Sequence, residues 1–467
     1  MPDSSRSNER SVTAEPISRK LAAHLVRVRY DALPMPALTS AKRFMLDTLA
    51  VAWAGSDAPG CDSARRMLTE QGGTAESNVW AYGERLPVVS SAFLNSMFAA
   101  ALDYDSMGRS VPTHINIVVL PAALAVAQRV HASGKDFLTA LVLGCDLMHR
   151  IGASSESLGQ PHKGWFYTSI HGGLASAAAC AKLLGLDEHA IAHALGIAYS
   201  QAAGTQQANI EPSLTKRMQS AFAARAGVFA ALLAQHGMTA PQSVFEGQYG
   251  LYKMYQDGSA ERLLDCLGER YENGELAIKK FPSCGCNHTA IQGALNVVAD
   301  YDLVPHDIES MEVEISPFMN RLVGGAFDPS ADAQAAAQFN IRYSIACTMV
   351  RRRFGLAELA TPVVLDPQIA QLASRTSVTV DPQNKGSRGP MILKVRSRRH
   401  GEIVCRVEHE PGSEAAPLSE REIEEKSREC FGLGVRPLTP GQIDALLERI
   451  VRVEQVADMT SFFDGIL

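Results

Sequence analysis

From Ile17 to about Leu267, apolar residues recur at the spacing of helix faces. "SRKLAAHLVRVRYDALP" places Leu21, Leu25 and Val28 on one side. "TSAKRFMLDTLAVAWAG" predicts a helix opened by a Thr39 or Ser40 cap and closed at Gly55. "DFLTALVLGCDLMHRIG" predicts another, from Asp136 to Gly152. "GGLASAAACAKLLGLD" and "EHAIAHALGIAYSQAAG" are crowded with small residues, and "TKRMQSAFAARAGVFAALLAQHG" runs to Gly237. Small side chains let helices approach closely, so the pattern predicts a packed multi-helix body without a repeat period. After "ENGELAIKKFPSCGCNHTA" the period changes. "MEVEISP" alternates as a half-buried strand, and "MILKVRSRRHGEIVCRVEHEPG" gives two alternating runs around His400-Gly401, a β-hairpin. One helix, "DAQAAAQFNIRYSIACTMVRRRFG", is expected between them, and two more in "LSEREIEEKSRECFG" and "TPGQIDALLERIVRVEQV". The predicted fold is mostly α. Residues 1–15 form a disordered tail, 16–270 plus 410–467 a discontinuous all-helical domain, and 271–409 a smaller α+β domain.

Composition narrows the function. The 467 residues are 46% apolar and 20% charged, with a net charge of −6, so large cores are affordable and a general nucleic-acid binder is disfavoured. No apolar run has the length of a membrane span. The nine cysteines lack framework spacing, which predicts reduced thiols and a cytoplasmic location.

Four polar stretches interrupt the apolar helices. "ALDYDSMGRSVPTH" carries Asp103, Asp105 and His114; Asp103 reads equally as a helix cap or a base. "PHKGWFYTSIHGG" carries Lys163, Tyr167 and His171 before a Gly-Gly helix start, where His171 is either a buried core histidine or a catalyst. "EPSLTKRMQS" puts Lys216 and Arg217 in the first turn of a helix, against the macrodipole, so either the turn is solvated or an anion is held there. "IKKFPSCGCNHTA" gathers Lys279, Lys280, Cys284, Cys286, Asn287 and His288. One residue between Cys284 and Cys286, with no second pair at finger spacing, argues against zinc.

Taken in order, these segments resemble the MmgE/PrpD family, which includes 2-methylcitrate dehydratase, cis-aconitate decarboxylase and iminodisuccinate epimerase. The resemblance rests on "FMLDTLAVAWAG", "ALDYDSM…PTHINIVVLPAALAVAQ", "GWFYTSIHGGLASAAACAKLLGLDEHAIAHALGIAYSQAAG", "TKRMQSAFAARAGVFAALLAQHGMTAP", "IKKFPSCGCNHTAI" and "AQFNIRYSIACTM", across about residues 17 to 460. It implies a large helical domain, a smaller α+β lid, a homodimer, and an active site between the domains that needs no cofactor and no metal. The substrates it implies are small di- or tricarboxylates that gain or lose a proton next to a carboxylate. Asp103, His114, Lys216 and Lys279 match the family's acidic residue, histidine and two lysines, with His171 as a further catalytic candidate. Arg217, Tyr167, Lys280, Cys284, Asn287 and His288 are the expected substrate-binding residues.

The chain departs from the family pattern at four places. Phe166 stands where decarboxylase and dehydratase relatives often carry His, and Cys284 where His or Cys precedes the later His. Ser106, Met107 and Gly108 replace part of the acidic motif, and Asn320 falls near a lid tyrosine of the decarboxylase. These departures weigh against cis-aconitate decarboxylation and point His171 toward the role of the missing imidazole. The expected activity is a cofactor-independent hydro-lyase. An epimerase of an amino- or imino-dicarboxylate and a non-catalytic carboxylate-binding paralogue are the alternatives.

Overall fold

The computed structural model describes residues 15–156, 164–211, 213–330 and 332–467. The expected tail, apart from residue 15, and Lys163 lie outside them. The longer helices of the first part are α1 (Ile17–Arg27), α2 (Met35–Gly55), α3 (Cys61–Gln71), α4 (Val88–Ala100), α5 (Asn116–Arg129), α6 (Gly134–Ala153), α7 (Tyr167–Leu183), α8 (Glu188–Tyr199) and α9 (Thr215–Gln235). They are followed by α10 (Gly285–Tyr301), α11 (Ile341–Arg351), α12 (Glu420–Phe431) and α13 (Pro440–Val451). The mostly-α architecture is the one the periodicity predicts.

Four details differ from the sequence reading. Helix α2 starts one turn before Thr39, because Pro36 fits a first helical turn, where no N–H partner is needed. The α6 cap is Ser133, whose hydroxyl accepts from the Asp136 backbone N–H at 3.2 Å. The Gly172-Gly173 pair lies inside α7 rather than at its start. Gly172 is there for close approach: a Cβ would stand 2.7 Å from Val118 Cγ1 on α5. The helix expected over residues 332–355 is two helices, Ala333–Gln338 and α11, because the Asn340 side chain accepts from the Tyr343 N–H at 3.0 Å and caps the second.

Helices α5 and α7 are buried along almost their whole length, and α4, α6 and α9 pack around them. At the α7–α9 crossing a Cβ on Gly227 would lie 2.3 Å from Ser176 Cβ, so only glycine permits that spacing. The apolar side chains of this core run from Ile17 to Ile278 and resume from Leu418 to Ile466, with α12 and α13 resting on α2. A second core runs from Phe281 to Ile403. It lies between α10 and α11 and a sheet of β1 (Ile308–Ile315), β2 (Thr376–Val380), β3 (Met391–Ser397) and β4 (Gly401–Val407), in the order β2-β1-β3-β4. Strand β2 is parallel to β1; the other pairs are antiparallel. Met391, Leu393 and Val395 of β3 alternate into the core, the period-two burial expected of the hairpin.

One small element decides the chemistry. Met107–Gly108 pairs antiparallel with Leu276–Ala277, Met107 opposite Ala277 and Gly108 opposite Leu276. It brings the loop after α4 alongside the segment that leads into α10.

Candidate active site

The chain leaves α4 through a turn in which Asp103 has a φ of 51°. Asp tolerates this left-handed conformation better than most residues. Asp103 follows a helix instead of preceding one, and both carboxylate oxygens face lysines, so it is not a helix cap. Lys216 Nζ, from the first turn of α9, donates to Asp103 Oδ1 at 2.8 Å. Lys279 Nζ lies 3.0 Å from Asp103 Oδ2 and donates to the Asp103 carbonyl at 2.7 Å. Burial alone would raise the Asp103 pKa, but Lys216, then Lys279 and His114, reverse this and hold the carboxyl well below the usual carboxylate range. Burial would likewise lower Lys279, and Asp103 and Asp105 hold it above its ordinary value. The anion expected at the start of α9 is thus supplied by the protein itself. Lys216 also lies over the Phe339 ring, 4.1 Å from its centroid.

Next to this bridge, His114 Nδ1 is 2.7 Å from Asp105 Oδ2. Asp105 is buried, and the His114 side chain is 14% exposed. The His114 backbone N–H donates to Thr168 Oγ1 of α7 at 3.0 Å. One ring nitrogen is therefore fixed by a buried carboxylate while Nε2 stays available, the arrangement of an oriented acid/base histidine.

The first turn of α10 borders the same lysine. Gln338 ties it to the Asp103 loop: its carbonyl accepts from Cys284 N, Ser283 Oγ and Asn287 Nδ2 at 3.0, 2.8 and 3.1 Å. Its side-chain amide donates to the Leu102 carbonyl at 2.5 Å. His288 is fully buried with Nε2 3.3 Å from the Ser283 carbonyl, and among the described residues Asn287 Oδ1 and His288 Nδ1 have no hydrogen-bond partner. A hydrogen bond from Cys286 lowers the Cys284 thiol against the opposing effect of burial, with Lys279 contributing.

Arg217, Lys280 and His171 have partners elsewhere. Arg217 donates to the Pro59 carbonyl at 2.8 Å. Lys280 pairs with Glu422 of α12 at 3.1 Å. Tyr167 stacks on His171, whose Nε2 is 2.5 Å from Gln256 Oε1 in the core. His171 occupies the buried-histidine alternative. Asp105, Gln338, Phe339 and the Arg388–Glu410 pair, 2.9 Å apart beside His288, are additions. The visible signal for Asp105 was its two-residue spacing from Asp103; the others lie too far away in sequence to be paired. Among the described residues no group of three or more His, Cys, Asp or Glu is arranged to hold a metal.

Buried histidines carry a stability consequence. Burial, the largest cause in each case, lowers His24, His149 and His171 to about 4 and His288 to about 3. The unfolded chain, with histidine near 6.5, binds more protons than the fold between pH 6.5 and about 4. Their contribution is therefore complete above pH 6.5 and is lost as pH falls through that window. The melting temperature is expected to fall steeply from pH 7 to pH 5; a flat profile would contradict neutral burial of these rings.

The chain matches the MmgE/PrpD N-terminal domain over residues 19–263 and the MmgE/PrpD C-terminal domain over residues 281–454. It is 28% identical over 468 residues to the cis-aconitate decarboxylase-like protein oryM of Aspergillus oryzae, covering 96% of this chain and 94% of that one. It is 28% identical over 348 residues to cis-aconitate decarboxylase of Aspergillus terreus, covering 71% of each, and 24% identical over 458 residues to cis-aconitate decarboxylase of Homo sapiens, covering 95% and 92%. With both family domains matched in order across most of its length, this chain belongs to the MmgE/PrpD family.

Proposed function

We propose that the protein is a cofactor-independent lyase acting on a small di- or tricarboxylate. The observation that carries this reading is the Lys216–Asp103–Lys279 bridge standing next to the His114–Asp105 pair. Proton transfer at a carbon next to a carboxylate places negative charge on that carboxylate in the transition state. Fixed ammonium groups in a water-poor site stabilise such charge without having to reorganise. His114 then moves the proton, with Asp105 holding its tautomer. In a dehydration His114 removes the carbon-bound proton, the neighbouring C–O bond breaks as the C=C bond forms, and the departing hydroxide takes up that proton from His114 to leave as water. In a decarboxylation a C–C bond breaks to release carbon dioxide, and His114 delivers the proton to the carbon left behind. The names of the relatives put cis-aconitate first in the assay, and the family's dehydratase members put citrate and methylcitrate beside it. Incubation of the protein alone with each, followed by proton NMR, is expected to show loss of water or of carbon dioxide from at least one. Inversion of an amino- or imino-dicarboxylate without loss of a group would make it an epimerase. Binding without turnover of any of them would make it a carboxylate binder. Turnover is expected to persist after exhaustive chelation; its loss and recovery with a divalent ion would overturn the cofactor-independent reading.

A homodimer is part of the same proposal. Helix α9 exposes Phe222 and Phe229, seven residues apart on one face, at 43% and 46%. Phe229→Glu is expected to shift the mass seen by light scattering from dimer to monomer; an unchanged mass would place the interface elsewhere. No helix among the described residues is long and apolar enough to cross a membrane.

A further inference from the structure

Behind the Asp103 loop lies a second ion pair, closed off from water. Lys426 on α12 and Asp47 on α2 have side chains 4% and 0% exposed. Lys426 Nζ donates to Asp47 Oδ1 at 2.6 Å, to the Tyr104 carbonyl at 2.8 Å and to the Lys279 carbonyl at 3.0 Å. An ammonium group has three N–H donors, and these bonds use all of them. The same group stands over the Tyr104 ring, 4.0 Å from its centroid. Asp47 Oδ2 is buried and, among the described residues, has no hydrogen-bond partner. The Tyr104 hydroxyl donates to the Lys280 carbonyl at 3.1 Å.

The partners are telling. Tyr104 stands between Asp103 and Asp105, and Lys279 is the lysine that grips Asp103. The two lysines therefore act in series: Lys426 fixes the backbone of Lys279, and Lys279 Nζ fixes the side chain and carbonyl of Asp103. A buried pair is weak evidence for stability, because well-packed apolar side chains often do as well. What apolar side chains cannot do is hold two carbonyls of the site's own segments in place.

We propose that Asp47 and Lys426 are positioning residues of the site, setting where Asp103, Asp105 and Lys279 stand relative to His114. Its catalytic consequence rests on the proposed lyase reading; its geometric consequence does not. The test uses the full chain carrying Asp47→Asn with Lys426→Met, which removes both charges and leaves neither uncompensated. Folding is followed by circular dichroism and melting. The titration of His114 is followed by NMR of ¹⁵N-histidine-labelled protein, with the signal assigned through His114→Gln. The expected result is a folded variant whose His114 midpoint is displaced from that of the parent. On whichever substrate the parent turns over, kcat is expected to fall about 100-fold, the scale of a 1 Å misplacement, with a much smaller change in KM. Should the double variant not fold, Asp47→Asn with Lys426→Gln keeps a neutral hydrogen-bonding pair but, with two N–H donors in place of three, releases at least one of the two carbonyls, and is expected to displace the His114 midpoint in the same direction. A folded variant with an unmoved His114 titration and unchanged kcat would overturn the proposal. A parent without turnover would count against the lyase reading, and the NMR measurement would still decide the positioning role.

Discussion

Asp103→Asn is expected to lower both stability and turnover. Asparagine accepts the left-handed backbone at this position and keeps the side chain's shape, so the loop itself has no reason to rearrange. The charge is what changes. Lys216 and Lys279 now face an amide, and the Lys279 side chain, only 2% exposed, keeps the Asp103 carbonyl as its acceptor but loses its counter-charge. Breaking a buried pair by removing one partner costs about 3–5 kcal/mol; the part-exposed Lys216 places this case toward the lower end. The melting temperature should therefore drop by several degrees. Turnover is expected to fall by about 100-fold or more, as when one transition-state donor or proton carrier is removed. A second effect follows from the same geometry. A bound polycarboxylate restores negative charge between the two lysines, so it should raise the melting temperature of the variant more than that of the parent. The pH dependence has a definite sign. The folded Asp103 pKa is depressed, so its contribution is present above the unfolded value near 3.9 and is lost as pH falls below it. Unchanged melting and full activity in the variant would return Asp103 to a structural turn residue and leave the two lysines without a role.

His114→Gln is expected to remove turnover by about 100-fold or more with little loss of stability, because the ring is partly exposed and packs at the edge of the loop. Asp105→Asn should do nearly the same for a different reason. The Asp105 carboxylate accepts from His114 Nδ1, which leaves Nε2 free to take a proton. An amide donating to Nδ1 instead would force the proton onto Nε2 and leave the histidine unable to act as a base from that side. The two residues form one unit, so the double variant should fall little below either single one. The measurement is kcat/KM for the three variants on one substrate. A double variant whose loss is the product of the two single losses would show that they act independently.

Much of the helical framework is legible in the sequence because local rules govern it. The 3.6-residue spacing around Leu21 and Leu25, and the capping boxes at Ser419 and Thr439, need no distant partner. Where a local signal competed with tertiary contact, the sequence misled. Gly172-Gly173 reads as a helix start, yet α7 carries it inside because α5 must come close. The "AQFN" stretch reads as continuous helix, yet Asn340 stops one helix and caps another.

For the site, the sequence by itself determined which residue types were on hand: two carboxylates and a histidine within fourteen residues, a lysine at a helix start, and a lysine ahead of "FPSCGCNH". Only the tertiary structure decided their pairing. The Met107–Gly108 and Leu276–Ala277 bridge joins segments about 170 residues apart, and α9 adds Lys216 from a third. No sequence period records that meeting, because it is set by the packing of whole helices. The same packing separates residues that are neighbours in sequence. Lys279 turns inward to Asp103 while Lys280 turns outward to Glu422, and Lys216 meets Asp103 while Arg217 reaches Pro59. Successive side chains leave the backbone in different directions, so adjacency in sequence cannot say which cation a buried carboxylate will meet.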